Sequence, residues 1–270
     1  FLAVGNHEVY VEPEAALQAF YLPTNSVTGT EHYYSFDHGD VHFAVVWSDL
    51  AFGSRYEPGS AQYAWLEADL AASDKPWKFL FFHHTWRTSS AHRLDDYDLN
   101  TVPDSIQIDQ SLAGLARDHG VQIIFNGHDH CYERLAPSGG PISFISGGGG
   151  AQAYPLRLPH PDSIQFQSAH HFLRVNVDGD VACVEAVGLD GNIFDRVHVR
   201  RDFPSRTLQH ASWNSPAIEA GAANDLDGNF TGQGFDLAGE PIFGPMGSFT
   251  SAGRLFVNND SHQLYLGLDQ

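Results

Sequence analysis

Val121-Gln122-Ile123-Ile124-Phe125-Asn126-Gly127-His128-Asp129-His130 is the stretch from which the fold is read. Its first five residues form a short, β-branched, mostly apolar run, the pattern of a buried strand. Asn126-Gly127 stops the run, and glycine supplies the φ freedom that a sharp turn needs. Two histidines one residue apart, just past such a strand, can aim both imidazoles into one cleft. Imidazole suits zinc, iron, manganese and nickel, which points to a transition-metal site. The alternative for this motif alone is a polar loop with two solvated histidines.

Two other stretches repeat the arrangement. Phe1-Leu2-Ala3-Val4 reads as the middle of a buried strand and runs into Gly5-Asn6-His7-Glu8; Trp77-Lys78-Phe79-Leu80-Phe81-Phe82 delivers His83-His84. Between them, Pro58-Gly59-Ser60 launches a helix with Ser60 as N-cap, Tyr63, Leu66 and Leu70 on its apolar face, and an end near Ser73-Asp74. A polar loop, Thr85 to Pro103, carries Trp86, Arg87, His92 and Arg93. It leads to a helix predicted from Ser105 to His119, with Ile108, Leu112 and Leu115 inward and Gly120 just past its end. Alternating strands and helices predict an α/β layered fold, whose sites lie beyond the carboxyl ends of strands. Three such ends carry ligand-type residues: Asn6/His7, His83/His84 and His128/His130.

Elsewhere, residues 12–21 suit a short helix with acids in its first turn. His32–Phe36 and Val41–Trp47 read as a hairpin turning at Asp37-His38-Gly39-Asp40, and His38 and His42 receive no functional role. Pro141–Ser146 reads as a strand followed by Gly147–Gly150, a glycine run that suits a flexible loop before a close backbone approach. Phe172–Val177, Val181–Val187 and Ile193–Val199 form an antiparallel meander through turns at Asp178-Gly179-Asp180 and Asp190-Gly191-Asn192. Residues 202–217 read as a linker. Residues 218–270 read as a partial all-β segment, the start of a β-sandwich-like module.

Composition sets the outer bounds. The 270 residues carry 33 Asp+Glu against 14 Lys+Arg, a net charge of −19, which disfavours nucleic acid and anionic membranes as partners. No run of 18 apolar residues is present to span a membrane. The two cysteines, Cys131 and Cys183, are read as free thiols. The opening apolar run, without an initiator methionine, leads us to expect an N-terminal truncation.

Gly5-Asn6-His7-Glu8, His83 within Phe81-Phe82-His83-His84, and Gly127-His128-Asp129-His130-Cys131-Tyr132-Glu133-Arg134 together resemble the calcineurin-like metallophosphoesterases. Tyr132-Glu133-Arg134 is most similar to the purple acid phosphatase branch. Gln62, Trp65-Leu66, Leu70 and Trp77 also resemble that branch, and the likeness covers about residues 1–200. It implies a four-layer α/β/β/α sandwich, here partial, around a dinuclear centre of divalent or trivalent iron, zinc or manganese. Asn6, His83 and His128 would bind one metal and His130 the other. His7 would contact the phosphate and the leaving group, and His92 matches a histidine that lies behind the ligands in the plant enzymes. Arg87 would be a substrate contact, with an exposed loop arginine as the equal alternative.

The family's Asp-x-His and Gly-Asp blocks, and the tyrosine of its purple members, would lie upstream of Phe1. Its proline after the His83 block is replaced by Thr85-Trp86-Arg87. The implied reaction is phosphomonoester hydrolysis of a small phosphorylated substrate, acid phosphatase-like, with a metal-bound hydroxide as nucleophile. The alternatives are phosphodiester or nucleotide hydrolysis, and a non-catalytic binding protein on the same scaffold. The resemblance and two-module layout further imply an extracellular or periplasmic protein, with carbohydrate contact through the terminal module.

Overall fold

The computed structural model describes residues 1–9, 17, 21–24, 27–50, 55–96, 99–100 and 102–201; past residue 201 it describes only backbone strand segments. The chain opens with an extended segment and one turn of helix, α1 (Asn6–Val9). The hairpin β1 (Tyr34–His38) and β2 (Val41–Val45) comes next, turning at Gly39 with φ 56°. Helix α2 (Ala61–Ala72) leads to β3 (Trp77–Phe81), and α3 (Asp104–Gln110) with α4 (Leu112–Asp118) leads to β4 (Ile123–Asn126). Then come β5 (Tyr132–Leu135), β6 (Ile142–Ser146) and β7 (Ser163–Gln167). These strands form one sheet in the order β1-β2-β3-β4-β6-β5-β7. Strands β2, β3, β4 and β6 run parallel, β1 is antiparallel to β2, and β5 is antiparallel to β6 and β7.

A second sheet holds the meander β8 (His171–Asp178), β9 (Val181–Gly188) and β10 (Ile193–Arg200), with turn glycines Gly179 and Gly191 at positive φ as expected. Alternation along β3 decides what lies on each side. Leu80 and Phe82 face the helices with Leu66, Leu70, Ile108, Leu112 and Ile124. Trp77 and Phe79 face the second sheet, where Ala182, Val184, Val197 and Val199 close the core. Leu66, Leu70, Ile108 and Leu112 are fully buried, so truncating any one to alanine costs about 2–5 kcal/mol. Helices, mixed sheet and antiparallel sheet are three layers of the expected α/β/β/α sandwich. Hydrogen bonds tie the sheets directly, among them Trp77 Nε1 to Gly179 O at 2.8 Å and Arg134 Nε to Asp195 at 2.7 Å.

Several expectations meet corrections. Phe1–Val4 is not a strand; Leu2 bonds through both its N–H and C=O to the Tyr34 hydroxyl, at 2.9 and 2.8 Å, instead of joining a ladder. The single helix from Ser105 to His119 is two, because the Ser111 hydroxyl donates to Gln107 O at 2.6 Å and its backbone leaves the helical region (φ −105°, ψ −85°). Ser60 caps α2 as predicted, accepting from Tyr63 N at 3.2 Å, and Gly120 comes after α4 at φ 70°. The helix expected over 12–21 lies outside the described residues, Leu17 (helical) and Tyr21 apart.

The linker stretch 202–217 contains a strand, Phe203–Ser212, which meets β10 and pairs antiparallel with Arg254–Asn259; that strand in turn pairs with Leu264–Asp269. Residues 213–217 lie outside the described residues. Cys131 and Cys183 are free, as read. No described helix is long and apolar enough to cross a membrane.

Candidate metal centre

The parallel register carries two histidines to the same level. Phe81 aligns with Phe125, and the ladder runs on past the strand ends through Phe82 N to Phe125 O at 3.2 Å and Gly127 N to His83 O at 3.0 Å. His83 Nε2 then lies 3.1 Å from His128 Nδ1 and 2.8 Å from Asn6 Oδ1. The Asn6 segment comes this close because residue 5 is glycine; a Cβ there would sit 2.7 Å from His83 Nδ1.

His128 sits at φ 61°, a left-handed backbone that costs a histidine about 1 kcal/mol or more. Its surroundings impose that conformation. Asp129 N bonds Gly127 O and Cys131 N bonds Asp129 O, each at 2.7 Å. The Asn126 amide donates to Phe82 O at 3.0 Å and to His84 O at 3.2 Å, pinning the two strand ends together. The glycine run is a close approach rather than a flexible loop at its first member. A Cβ on Gly147 would run into the carbonyl oxygen of Asp129, whereas Gly149 and Gly150 face open space.

His83 Nε2 thus has two further ligand-type atoms beside it, Asn6 Oδ1 and His128 Nδ1. In a tetrahedral site with bonds of about 2.0–2.2 Å, neighbouring ligands stand about 3.3–3.6 Å apart, so the observed 2.8 and 3.1 Å fit a shared cation after an opening of roughly 0.2–0.8 Å. The protonation states fit as well. Burial first, then the imidazoles of His7, His130 and His92, bring His83 down to about 4. Burial and its histidine neighbours bring His84 to about 3, and the same causes push His128 lower still. At neutral pH these rings are uncharged and their lone pairs are available to a metal.

The other predicted residues take separate positions around this point. His130 turns toward the next loop, where Nδ1 meets Gln152 O at 3.1 Å and Tyr154 stacks on its ring at 4.2 Å. His7 is exposed on α1, near enough for its charge to depress His83. His92 lies with its ring centre 4.1 Å from that of His128, and Nδ1 meets Asp95 Oδ2 at 2.5 Å. His92, Asp95 and His128 form a second group of ligand-type atoms, all within 4.8 Å of one another. Arg87 lies over Trp86 and is ion-paired with Asp162 and, at 3.2 Å, with Asp109, so its charge is offset within the chain. His84 is a buried wall residue whose Nδ1 meets Ser48 Oγ at 3.0 Å.

Asp95, Asp129, Glu133 and Tyr154 are neighbours of the site that sequence reasoning missed. Asp95 stands three residues after His92 in a loop without periodicity, and that H-x-x-D spacing is its only signal. A cleft of about 930 Å³ opens between the sheets beside His83, Asn126 and Gly127, walled by Phe43, Phe79 and Phe81.

Comparison with known proteins bears on the family and the fold. The family model for calcineurin-like phosphoesterases matches residues 1–132. Purple acid phosphatase 15 of Arabidopsis thaliana is 31% identical over 176 residues, covering 58% of this chain and 30% of that protein. Purple acid phosphatase 22 of the same plant is 32% identical over 179 residues, covering 59% and 38%. The chain therefore spans about a third of the length of these relatives. Among solved structures, purple acid phosphatase PPD1 from yellow lupin seeds superposes with a TM-score of 0.62 at 23% identity, over 73% of this chain and 37% of that one. GAP50 of Plasmodium superposes with a TM-score of 0.55 at 14% identity, over 73% and 64%. Both likenesses are of fold. Residues 1–132, which hold both histidine-bearing strand ends, thus match the model of the calcineurin-like phosphoesterase family, and the curated relatives to which the chain is similar include purple acid phosphatases.

Proposed function

We propose that this chain is part of a metal-dependent phosphoric ester hydrolase, acting as a phosphomonoesterase of acid phosphatase type on a small phosphorylated substrate. The observation that carries the reading is the approach of Asn6 Oδ1 and His128 Nδ1 to His83 Nε2, just beyond the carboxyl ends of parallel strands β3 and β4. In this reading Asn6, His83 and His128 hold one ion and His130 serves a second, both iron, zinc or manganese. Such a pair, when bound, supplies the Lewis acidity and the acidified water that displacement at phosphorus needs. The chain's own residues do the rest. Neutral imidazoles and an amide leave the centre strongly positive, which draws a phosphate into an otherwise acidic protein. His7, exposed at the rim, donates to a phosphoryl oxygen and delivers a proton to the leaving group. His92, whose Nδ1 is held by Asp95, stands behind His128 and in its neutral form presents the lone pair of its other ring nitrogen as an acceptor or base. Arg87 takes no part here, because Asp162 and Asp109 already occupy it.

In this proposal residues 1–201 are the phosphoesterase portion and residues 202–217 join it to a β-module. That module begins over residues 218–270 and contacts carbohydrate on a secreted protein. Elemental analysis of the purified chain after incubation with zinc, manganese and iron tests the metal reading. Retention of metal by the native sequence, with loss in His83→Ala and His128→Ala, is the expected result. Equal metal content in all three overturns it.

A second reading has a specific support: GAP50, which shares the fold, is described as the anchor in the inner membrane complex of Plasmodium. A non-catalytic binding role on this scaffold would leave p-nitrophenyl phosphate and bis-p-nitrophenyl phosphate untouched by a metal-loaded chain extended to the relatives' length. Turnover of the monoester in preference to the diester is what the hydrolase reading expects.

A further inference from the structure

Loop 88–92 has no regular secondary structure, yet it delivers His92 onto the ring of His128. Two fully buried carboxylates hold it there. Asp129, between the histidines of the turn, accepts through Oδ1 from Ala91 N at 3.0 Å and His92 N at 3.2 Å. Glu133, four residues on, accepts from Ser89 N at 2.8 Å and Ser89 Oγ at 2.5 Å, with Thr88 Oγ1 at 3.5 Å. Burying a carboxylate is unfavourable unless its oxygens accept hydrogen bonds. Here those acceptor oxygens are directed at a single loop.

We infer that Asp129 and Glu133 are positioning residues that fasten loop 88–92 to the His-x-His turn and so hold His92 against His128. The same segment that carries the candidate ligands therefore also sets the place of the histidine behind them. Tyr132 and Arg134 flank Glu133 and grip Asp195 of the second sheet at 2.5 and 2.7 Å, which keeps the acid at a fixed height. The importance of this fastening for chemistry rests on the metal-centre reading; the fastening itself does not.

The test uses the full metal-free chain, isotopically labelled, and reads the ring signals of His92 and the amide exchange of residues 88–92. Neither readout needs metal or turnover, so the hydrolase reading can fail while this inference stands, and the reverse. In Asp129→Ala the His92 ring signals should move toward those of an unstacked imidazole, and the loop amides should exchange about tenfold faster or more. Asp129→Asn keeps an oxygen that accepts both N–H groups and should behave like the native chain. A folded Asp129→Ala with native His92 signals and native exchange overturns the inference, as does an Asp129→Asn that matches the alanine variant. If Asp129→Ala does not fold, Ser89→Ala removes one hydroxyl from Glu133 and leaves both acids in place. Faster exchange confined to the loop supports the inference, and unchanged exchange there overturns it.

Discussion

His42 and His83 are both held inside the molecule, and they are held in opposite ways. His42, on β2, lies between two carboxylates, with Nδ1 2.8 Å from Asp37 and Nε2 2.9 Å from Asp69. Burial alone would lower its pKa, but the two acids overrule burial and raise it. His83, just past β3, meets an amide oxygen and another imidazole, so burial and the neighbouring histidines bring it to about 4. His171 is a third case: buried, with a carbonyl and a hydroxyl for partners, and lowered chiefly by burial. Neighbours, rather than residue type, separate a histidine whose pKa is raised from one whose pKa is lowered. The turn of a hairpin placed an acid beside His42, whereas the ends of parallel strands placed histidines beside His83.

Acid should separate the two histidines most strongly. The folded value of His83, about 4, lies below the ordinary 6.5, so the unfolded chain takes up its proton first as pH falls. The stability of the metal-free chain is therefore full above 6.5 and is lost between 6.5 and about 4, with His84 and His128 adding in the same sense. Each such histidine contributes at most about 1.4 kcal/mol per pH unit, so a fall of several kcal/mol is expected. Urea unfolding across this range measures it, and a flat profile would show that the cluster is not buried as described.

Removing one partner tests the ligand side of this contrast. His83→Ala or His128→Ala should weaken zinc binding about a hundredfold or more, read by competition with a chelator. His42→Ala, in contrast, should leave zinc binding within about threefold, since its partners are carboxylates away from the strand ends that carry the centre. Equal losses in all three variants would erase the distinction.

Gly147→Ala probes the same centre without touching an imidazole. Its Cβ would meet the Asp129 carbonyl, so the turn between His128 and His130 must shift, at about 1–3 kcal/mol in thermal unfolding. Gly149→Ala, facing open space, should be within about 0.5 kcal/mol of native.

A milder change is expected at His42 itself. Its raised pKa makes the charged form stabilising below 6.5, and that contribution fades as pH rises through the folded value. His42→Gln should lose about 1–2 kcal/mol at about pH 5.5 and less at about pH 9. A loss that grows with pH would reverse the assignment.

Much of this was legible in the chain. The apolar runs at 77–82 and 121–125, the glycine turns of the meander and the Ser60 cap lie where local pattern puts them, because strand period and capping act over a few residues. The kink at Ser111 was not legible, since a hydroxyl bond to Gln107 competes with a periodicity that continues across it. Phe1–Val4 had a strand's composition, but the Tyr34 hydroxyl took both backbone groups of Leu2 instead. For Gly147 the local text allowed either a loose loop or a tight approach; only the distance to Asp129 chose between them.

Local sequence specified the alternation of strands and helices, and the histidines at the strand ends, since both are written in adjacent residues. Tertiary packing chose which histidines meet. His83 reaches His128 because of the β3–β4 register, His92 is brought in by Asp129 and Glu133, and Arg87 is drawn away by Asp162. Those contacts join residues 37 to 75 positions apart, across strands and loops whose register is set by the whole core, and no local preference reaches that far.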